Sequence, residues 1–237
     1  TDPAAKVLFA THLLSASVMA VPGSIVLAKM LCPQTEEATD HVAISGKEKE
    51  NSNILDAISS GTVTGVKLMT NIAAMLLVFI SLVALANYIT EGVIGRYTGL
   101  NDWIVKITDG KAQGLTFQFI LGVITSPFMW LIGVPSQDIM LVGSLLGQKT
   151  ILNEFVAYFQ LQQWKDAGLF MYEKSILMST YILCGFANIS SIGILLGGLG
   201  VLAPDKRGLI SRIGVPAMIG GALVSVLSAT IIGMILG

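Results

Sequence analysis

The chain has 237 residues, 53% of them hydrophobic and only 12% charged, with a net charge of −1 and a mean hydropathy of +0.75. Soluble domains carry about 25% charged residues, so this composition excludes an ordinary soluble fold, and the near-zero charge gives no footing for nucleic acid. Two cysteines, Cys32 and Cys184, and two histidines, His12 and His41, exclude a disulfide framework and a multi-histidine metal site.

The chain opens at Thr1-Asp2-Pro3, with no initiator methionine and no basic leader, as expected of a piece of a longer product. Its first apolar segment, residues 7–31, suits a crossing of ~20 residues and stops at Cys32-Pro33. Residues 34–51 are polar and acidic and read as an aqueous loop. In 54–66, Ile54, Leu55, Ile58 and Val63 alternate with Asp56, Ser59, Ser60 and Thr62, a pattern predicting a helix that lies at the interface. Residues 68–89 then form a full crossing.

Tyr97 and Trp103 stand among charges in the mixed stretch 90–113, as expected near lipid headgroups. Residues 115–134 are apolar but interrupted by Pro127, and their pattern favours a segment lying partly in the interface over a crossing. The next segment, 139–161, has two apolar arms that are each too short to span, with Asn153-Glu154 at their junction. A carboxylate at the bilayer centre costs about 2.5–3.5 kcal/mol on insertion scales. A re-entrant hairpin with its tip in a protein-lined cavity satisfies both facts.

Residues 175–202 would make a helix of roughly 42 Å, against a hydrocarbon core of ~30 Å. Its centre reads Gly185-Phe186-Ala187-Asn188-Ile189-Ser190-Ser191, which places an amide and two hydroxyls in apolar surroundings. Gly185 lowers the cost of an interruption there. Asn188 and Ser191 stand three residues apart, on one face of a regular helix. Phe186 joins that face only if the helix is broken. A charged connector with Lys206, Arg207 and Arg212 leads to a final crossing, 213–236. That connector is expected on the cytoplasmic side, which with four full crossings puts the 34–51 loop inside and brings the hairpin in from outside.

Two readings of the polar groups stay open on residue chemistry alone. Asn188 and the serines serve either as interhelical hydrogen-bonding groups, worth about 0.6 kcal/mol each, or as a substrate site in a discontinuous helix. Glu154 pairs with a lysine such as Lys149, carries a proton, or accepts hydrogen bonds from substrate hydroxyls. A carboxylate and an amide together suit a vicinal diol. An intramembrane enzyme using Glu154 as acid or base would need a nucleophile or metal, and no such arrangement accompanies it.

Leu152-Asn153-Glu154-Phe155-Val156-Ala157-Tyr158, followed by Cys184-Gly185-Phe186-Ala187-Asn188-Ile189-Ser190-Ser191-Ile192-Gly193, resembles the concentrative nucleoside transporter family. The stretches Ser15-Ala16-Ser17-Val18-Met19-Ala20-Val21-Pro22 and Ile58-Ser59-Ser60-Gly61-Thr62 are also similar to that family. The resemblance covers nearly the whole chain but only the C-terminal half of such a transporter.

It implies an all-α integral membrane protein with transmembrane helices, a re-entrant hairpin and a broken helix, half of an inverted-repeat transporter. It implies ion-coupled import of nucleosides by alternating access, with sodium or protons as the coupling ion and no other cofactor. Glu154, Asn188 and Ser191 would contact the ribose and Phe186 would pack against the substrate, with no metal ligand in this half. The coupling-ion site and the nucleobase contacts would lie largely in the N-terminal half, whose Gly-Gln-Thr-Glu hairpin is not in this chain. The remaining implied partners are the lipid bilayer of a plasma or bacterial inner membrane and, through residues 68–89, two further copies in a homotrimer.

On this reading residues 1–67 hold the first crossing, polar loop and interfacial helix, 68–113 the scaffold crossing and interfacial segment, and 114–237 the transport region. The alternative is a non-transporting remnant or a separately encoded subunit of such a transporter.

Overall fold

Without water to satisfy peptide groups, an apolar chain meets its hydrogen-bonding needs within each segment, and helix is the outcome. The computed structural model describes residues 3–33, 53–108, 110, 112–202 and 204–237, all in helices or short connections. The 34–51 loop lies outside the described residues.

Helix α1 (Pro3–Leu31) and the last helix, α10 (Arg207–Ile235), pack against each other. Among the described residues, their segments Val7–Leu31 and Arg207–Ile235 are the two helices long and apolar enough to cross a bilayer. Small residues let them approach. A side-chain carbon on Gly23 would come within 3.2 Å of Val224 Cγ1, and one on Gly220 within 2.8 Å of Leu31 Cδ1.

Helix α2 (Ile54–Asn87) is one helix of 34 residues. The sequence predicts an interfacial helix over 54–66 and a separate crossing from 68, but the backbone passes through both without a break. Asn53 caps its start, its side-chain oxygen accepting the Asp56 N–H at 2.9 Å. Gly61 and Gly65 cost about 1 kcal/mol each in a helix, which weakens it without ending it, and no proline follows to do so.

A π-helical stretch (Tyr88–Gly95) continues α2 and leads to the short α3 (Arg96–Thr98) and α4 (Leu100–Ile107). The turn between α3 and α4 is made by Gly99 in the left-handed region, φ 73°. Asn101 ties this corner together, donating to the Glu91 carbonyl at 3.0 Å and accepting the Leu115 N–H at 2.9 Å.

Four short helices build the interior: α5 (Phe117–Leu131), α6 (Ile139–Ile151), α7 (Glu154–Asp166) and α8 (Glu173–Leu183). The 15 residues of α5 and the 13 each of α6 and α7 are too few to span a membrane core. Proline 127 sits within α5 without ending it. Helices α5 and α6 run antiparallel at close range, Leu121 against Gly147 and Thr125 against Gly143. Helices α6 and α7 form a second antiparallel pair, with Leu145, Ala157, Leu161 and Leu183 in one apolar cluster. A larger cluster joins Met129, Val142, Leu146, Met178, Ile182 and Ala229, from α5, α6, α8 and α10.

After a break, α9 (Ile189–Leu202) and a 3-10 turn (Pro204–Lys206) lead into α10. The outward faces are apolar: Leu14, Val18 and Leu77 are 69%, 71% and 70% exposed. That is the inverse of a soluble fold.

Candidate functional site

The hairpin tip is two residues, Leu152-Asn153. Asn153 has extended backbone, and its side-chain oxygen accepts the Val156 N–H at 3.0 Å, capping α7. Glu154 follows as the first residue of α7, where the exposed N–H groups of a helix start favour a carboxylate.

The opposing element is the gap in the long C-terminal segment. Helix α8 stops at Leu183 and α9 starts at Ile189, so residues 184–188 are not helical. Asn188 caps α9. Its Oδ1 accepts the Ser191 N–H at 2.8 Å, while Ser191 Oγ accepts the Asn188 N–H at 3.2 Å, a reciprocal capping box with serine in the usual glutamate place. Ser190 Oγ also donates to Asn188 Oδ1, at 2.7 Å, and Ser191 Oγ donates to the Asn188 carbonyl at 2.6 Å. The sequence expectation of a shared helix face is corrected here. Asn188 stands just outside the helix, and the three-residue spacing brings it to Ser191 through the cap.

With its oxygen engaged, the Asn188 amide nitrogen is aimed across the gap. Nδ2 donates to Glu154 Oε2 at 3.0 Å. Asn188 and Ser191 are buried and Glu154 is half-buried. The carboxylate at the hairpin tip and the capping amide at the gap are thus in direct contact.

Lys149 does not pair with Glu154 as one sequence reading allowed. It is fully buried and donates to the Ile182 carbonyl at 2.7 Å and to Ser225 Oγ at 3.0 Å. Gly185 is needed beside it, because a side-chain carbon there would collide with Ser225 Oγ and come within 3.3 Å of Lys149 Nζ. Phe186 is 55% exposed at the gap. A cavity of about 350 Å³ adjoins the gap, lined by Phe186, Ser191 and Ser225 with Ala20 and Ser24 of α1. Glu154 and Asn188 lie outside that lining.

Residues 12–233 match the family described as Na+ dependent nucleoside transporter C-terminus. The chain belongs to the concentrative nucleoside transporter family. It is 37% identical over 240 residues to sodium/nucleoside cotransporter 1 of Rattus norvegicus, covering 95% of this chain and 35% of that protein. It is 36% identical over 228 residues to nucleoside permease NupC of Helicobacter pylori, covering 95% of this chain and 51% of the permease. The backbone matches CNTnw in an inward-facing substrate-bound state with a TM-score of 0.77 at 36% identity, over 95% of this chain and 51% of that one. A substituted form of CNTnw in an outward-facing state gives 0.80 at 37% identity, with the same coverage. The chain thus spans about half the length of the permease and of CNTnw.

Concentrative nucleoside transporters are transporters and not enzymes, which removes the reading of Glu154 as an intramembrane acid or base. In this member of the family, Glu154, Asn188 and Ser191 come together and Phe186 stands beside them. The sequence reading gives Asn153, Asp138 and Tyr158 no role of their own, yet they hold the elements around Glu154 and Asn188. Asp138 is buried and its carboxylate accepts the Met171 and Tyr172 N–H groups at 3.0 and 3.1 Å, fixing the start of α8. Tyr158 Oη donates to the Thr180 carbonyl at 2.8 Å, tying α7 to α8. A signal for Asn153 was present, since asparagine just before an acidic first helical residue is an N-terminal cap pattern. Asp138 and Tyr158 act across more than 20 residues and leave no local trace.

Proposed function

We propose that the full-length protein containing this chain imports nucleosides together with a cation, and that this chain supplies the groups that hold the ribose. The contact between Asn188 Nδ2 and Glu154 Oε2 at 3.0 Å carries the reading. It sets a carboxylate acceptor next to an amide donor, the pair of groups that suits the two adjacent hydroxyls of a ribose. Ser191 belongs to the site through its hold on Asn188, and Phe186 offers an apolar face beside it.

Hairpin α6–α7 is re-entrant in this reading, as its two 13-residue arms favour. Residues 114–237 form the moving transport region, with 68–113 belonging to the fixed scaffold, whose segment 68–89 contributes to the association of three copies. Alternating access follows from motion of the hairpin and broken helix against that scaffold. The coupling ion, sodium or a proton, would bind largely within the preceding half, in keeping with the relatives named as sodium cotransporters.

Labelled uridine and adenosine uptake by the full-length protein, with and without sodium, tests this. Glu154→Gln and Asn188→Ala are each expected to lose most uptake while the protein is still made. Removing one partner from such a contact costs about 1–3 kcal/mol, or roughly 5- to 150-fold, and more where a charge is involved. Normal uptake by both variants overturns the assignment.

A further inference from the structure

Lys149 is the largest fully buried side chain among the described residues, and the ribose-gripping reading gives it no role. Its ammonium sits on the Ile182 carbonyl at 2.7 Å and on Ser225 Oγ at 3.0 Å. Ile182 is in the last turn of α8, just before the gap, where the C-terminal carbonyls of a helix carry partial negative charge. Carbonyls at the end of a half-helix are groups with which discontinuous transporter helices bind sodium, and here a hydroxyl oxygen stands beside one. In this chain a covalently attached cation fills that place.

The three elements it joins flank the site, α6 leading into the hairpin tip and α8 ending at the gap. Lys149 belongs to the end of α6, three residues before the hairpin tip; Ile182 belongs to α8, and Ser225 to α10. A side-chain carbon at Gly185, in the gap, would collide with Ser225 Oγ and come within 3.3 Å of Lys149 Nζ. The ammonium therefore ties the end of α6, three residues before the hairpin tip, to the end of α8 and to α10.

We propose that Lys149 is a tethered cation at the carbonyl end of α8 and the positioning residue for the Glu154–Asn188 pair, doing permanently what a bound alkali cation would do. This rests on the ribose-gripping reading above. It makes the cation requirement of this half internal, so that the exchangeable ion acts elsewhere in the full-length protein.

The test uses the full-length transporter with Lys149→Met, which keeps most of the packing volume, and Lys149→Gln. Nucleoside KM and maximal uptake are measured against sodium, lithium and potassium, with choline holding ionic strength constant. Folded yield after detergent extraction is followed under the same ions. The expected result is a KM raised about tenfold or more at low alkali cation, falling again at high sodium or lithium, with a steeper cation dependence than the parent. Folding rescued by the alkali cation alone counts the same way.

An unchanged KM and cation dependence overturns the proposal, as does loss of folded protein or of uptake that no alkali cation restores, since that marks a purely structural lysine. Failure of the ribose reading shows separately, as normal uptake by Glu154→Gln and Asn188→Ala.

Discussion

Asn188 makes four kinds of contact from one position: its amide oxygen caps α9, its N–H and carbonyl exchange hydrogen bonds with Ser191, and its amide nitrogen reaches Glu154. Cap and contact are therefore separable by substitution. Ser191→Ala removes the returning half of the cap and the Ser191 donation to the Asn188 carbonyl but leaves the Asn188 side chain in place, a loss of about 1 kcal/mol. It is expected to lower thermal stability modestly and to reduce uptake less than Asn188→Ala, measured by melting in detergent and by uptake in cells. Equal losses in the two variants would show that Ser191 touches the substrate directly. Gly185→Ala is expected to abolish uptake, because the added carbon collides with Ser225 Oγ. The double variant Gly185→Ala with Ser225→Ala removes the colliding oxygen and should recover part of it. At this scale the sequence singled out Glu154, Asn188 and Ser191, polar groups set in apolar runs, and the structure brings them together. The sequence could not show that Asn188 is a cap, because a cap exists only where the helix has already been broken.

At the scale of elements, the hairpin and the broken helix were legible because length is a physical constraint. Two arms of 13 residues cannot span hydrocarbon, and 28 residues exceed it. The single long α2 was not legible, since polar residues in its first two turns look interfacial whether or not the backbone continues. The close pairing of α5 with α6 depends on glycines whose role appears only with a partner in place. A side-chain carbon on Gly147 would lie 2.5 Å from Leu121 Cβ, and one on Gly143 would lie 3.0 Å from the Gly122 carbonyl oxygen. These neighbours are backbone or next to it and have little room to yield. Overpacking of this kind costs about 1–3 kcal/mol. Gly147→Val is accordingly expected to lower the melting temperature in detergent while leaving Glu154 and Asn188 chemically intact, with uptake falling in proportion to folded protein. An unchanged melting temperature would mean that α5 and α6 are not packed as described.

Taken whole, the molecule keeps its core among α5, α6, α8 and α10 and turns large apolar side chains of α1 and α2 outward. Such a surface needs lipid or further protein against it. Expressed by itself, the chain is expected in the membrane fraction, resistant to high salt and alkaline carbonate and released by detergent. Recovery in the aqueous fraction without detergent would contradict the membrane reading. Full uptake is expected only with the remainder of the transporter present, because the chain spans about half of its bacterial permease relative.

Composition and segment length were enough to establish a helical membrane protein, a hairpin with Glu154 at its turn and an interruption at Asn188. All three follow from local quantities: hydropathy, the thickness of a bilayer and the cost of polar groups within it. Which polar group meets which was decided only in three dimensions. Lys149 lies five residues from Glu154 in the chain, yet its ammonium goes to Ile182 and Ser225, while Asn188, 34 residues away, takes the carboxylate. The reason is that α6 runs beside α8, which in turn packs on α10, and packing of these helices leaves the helix-end carbonyl and Ser225 nearest the lysine and the capping amide nearest the hairpin tip.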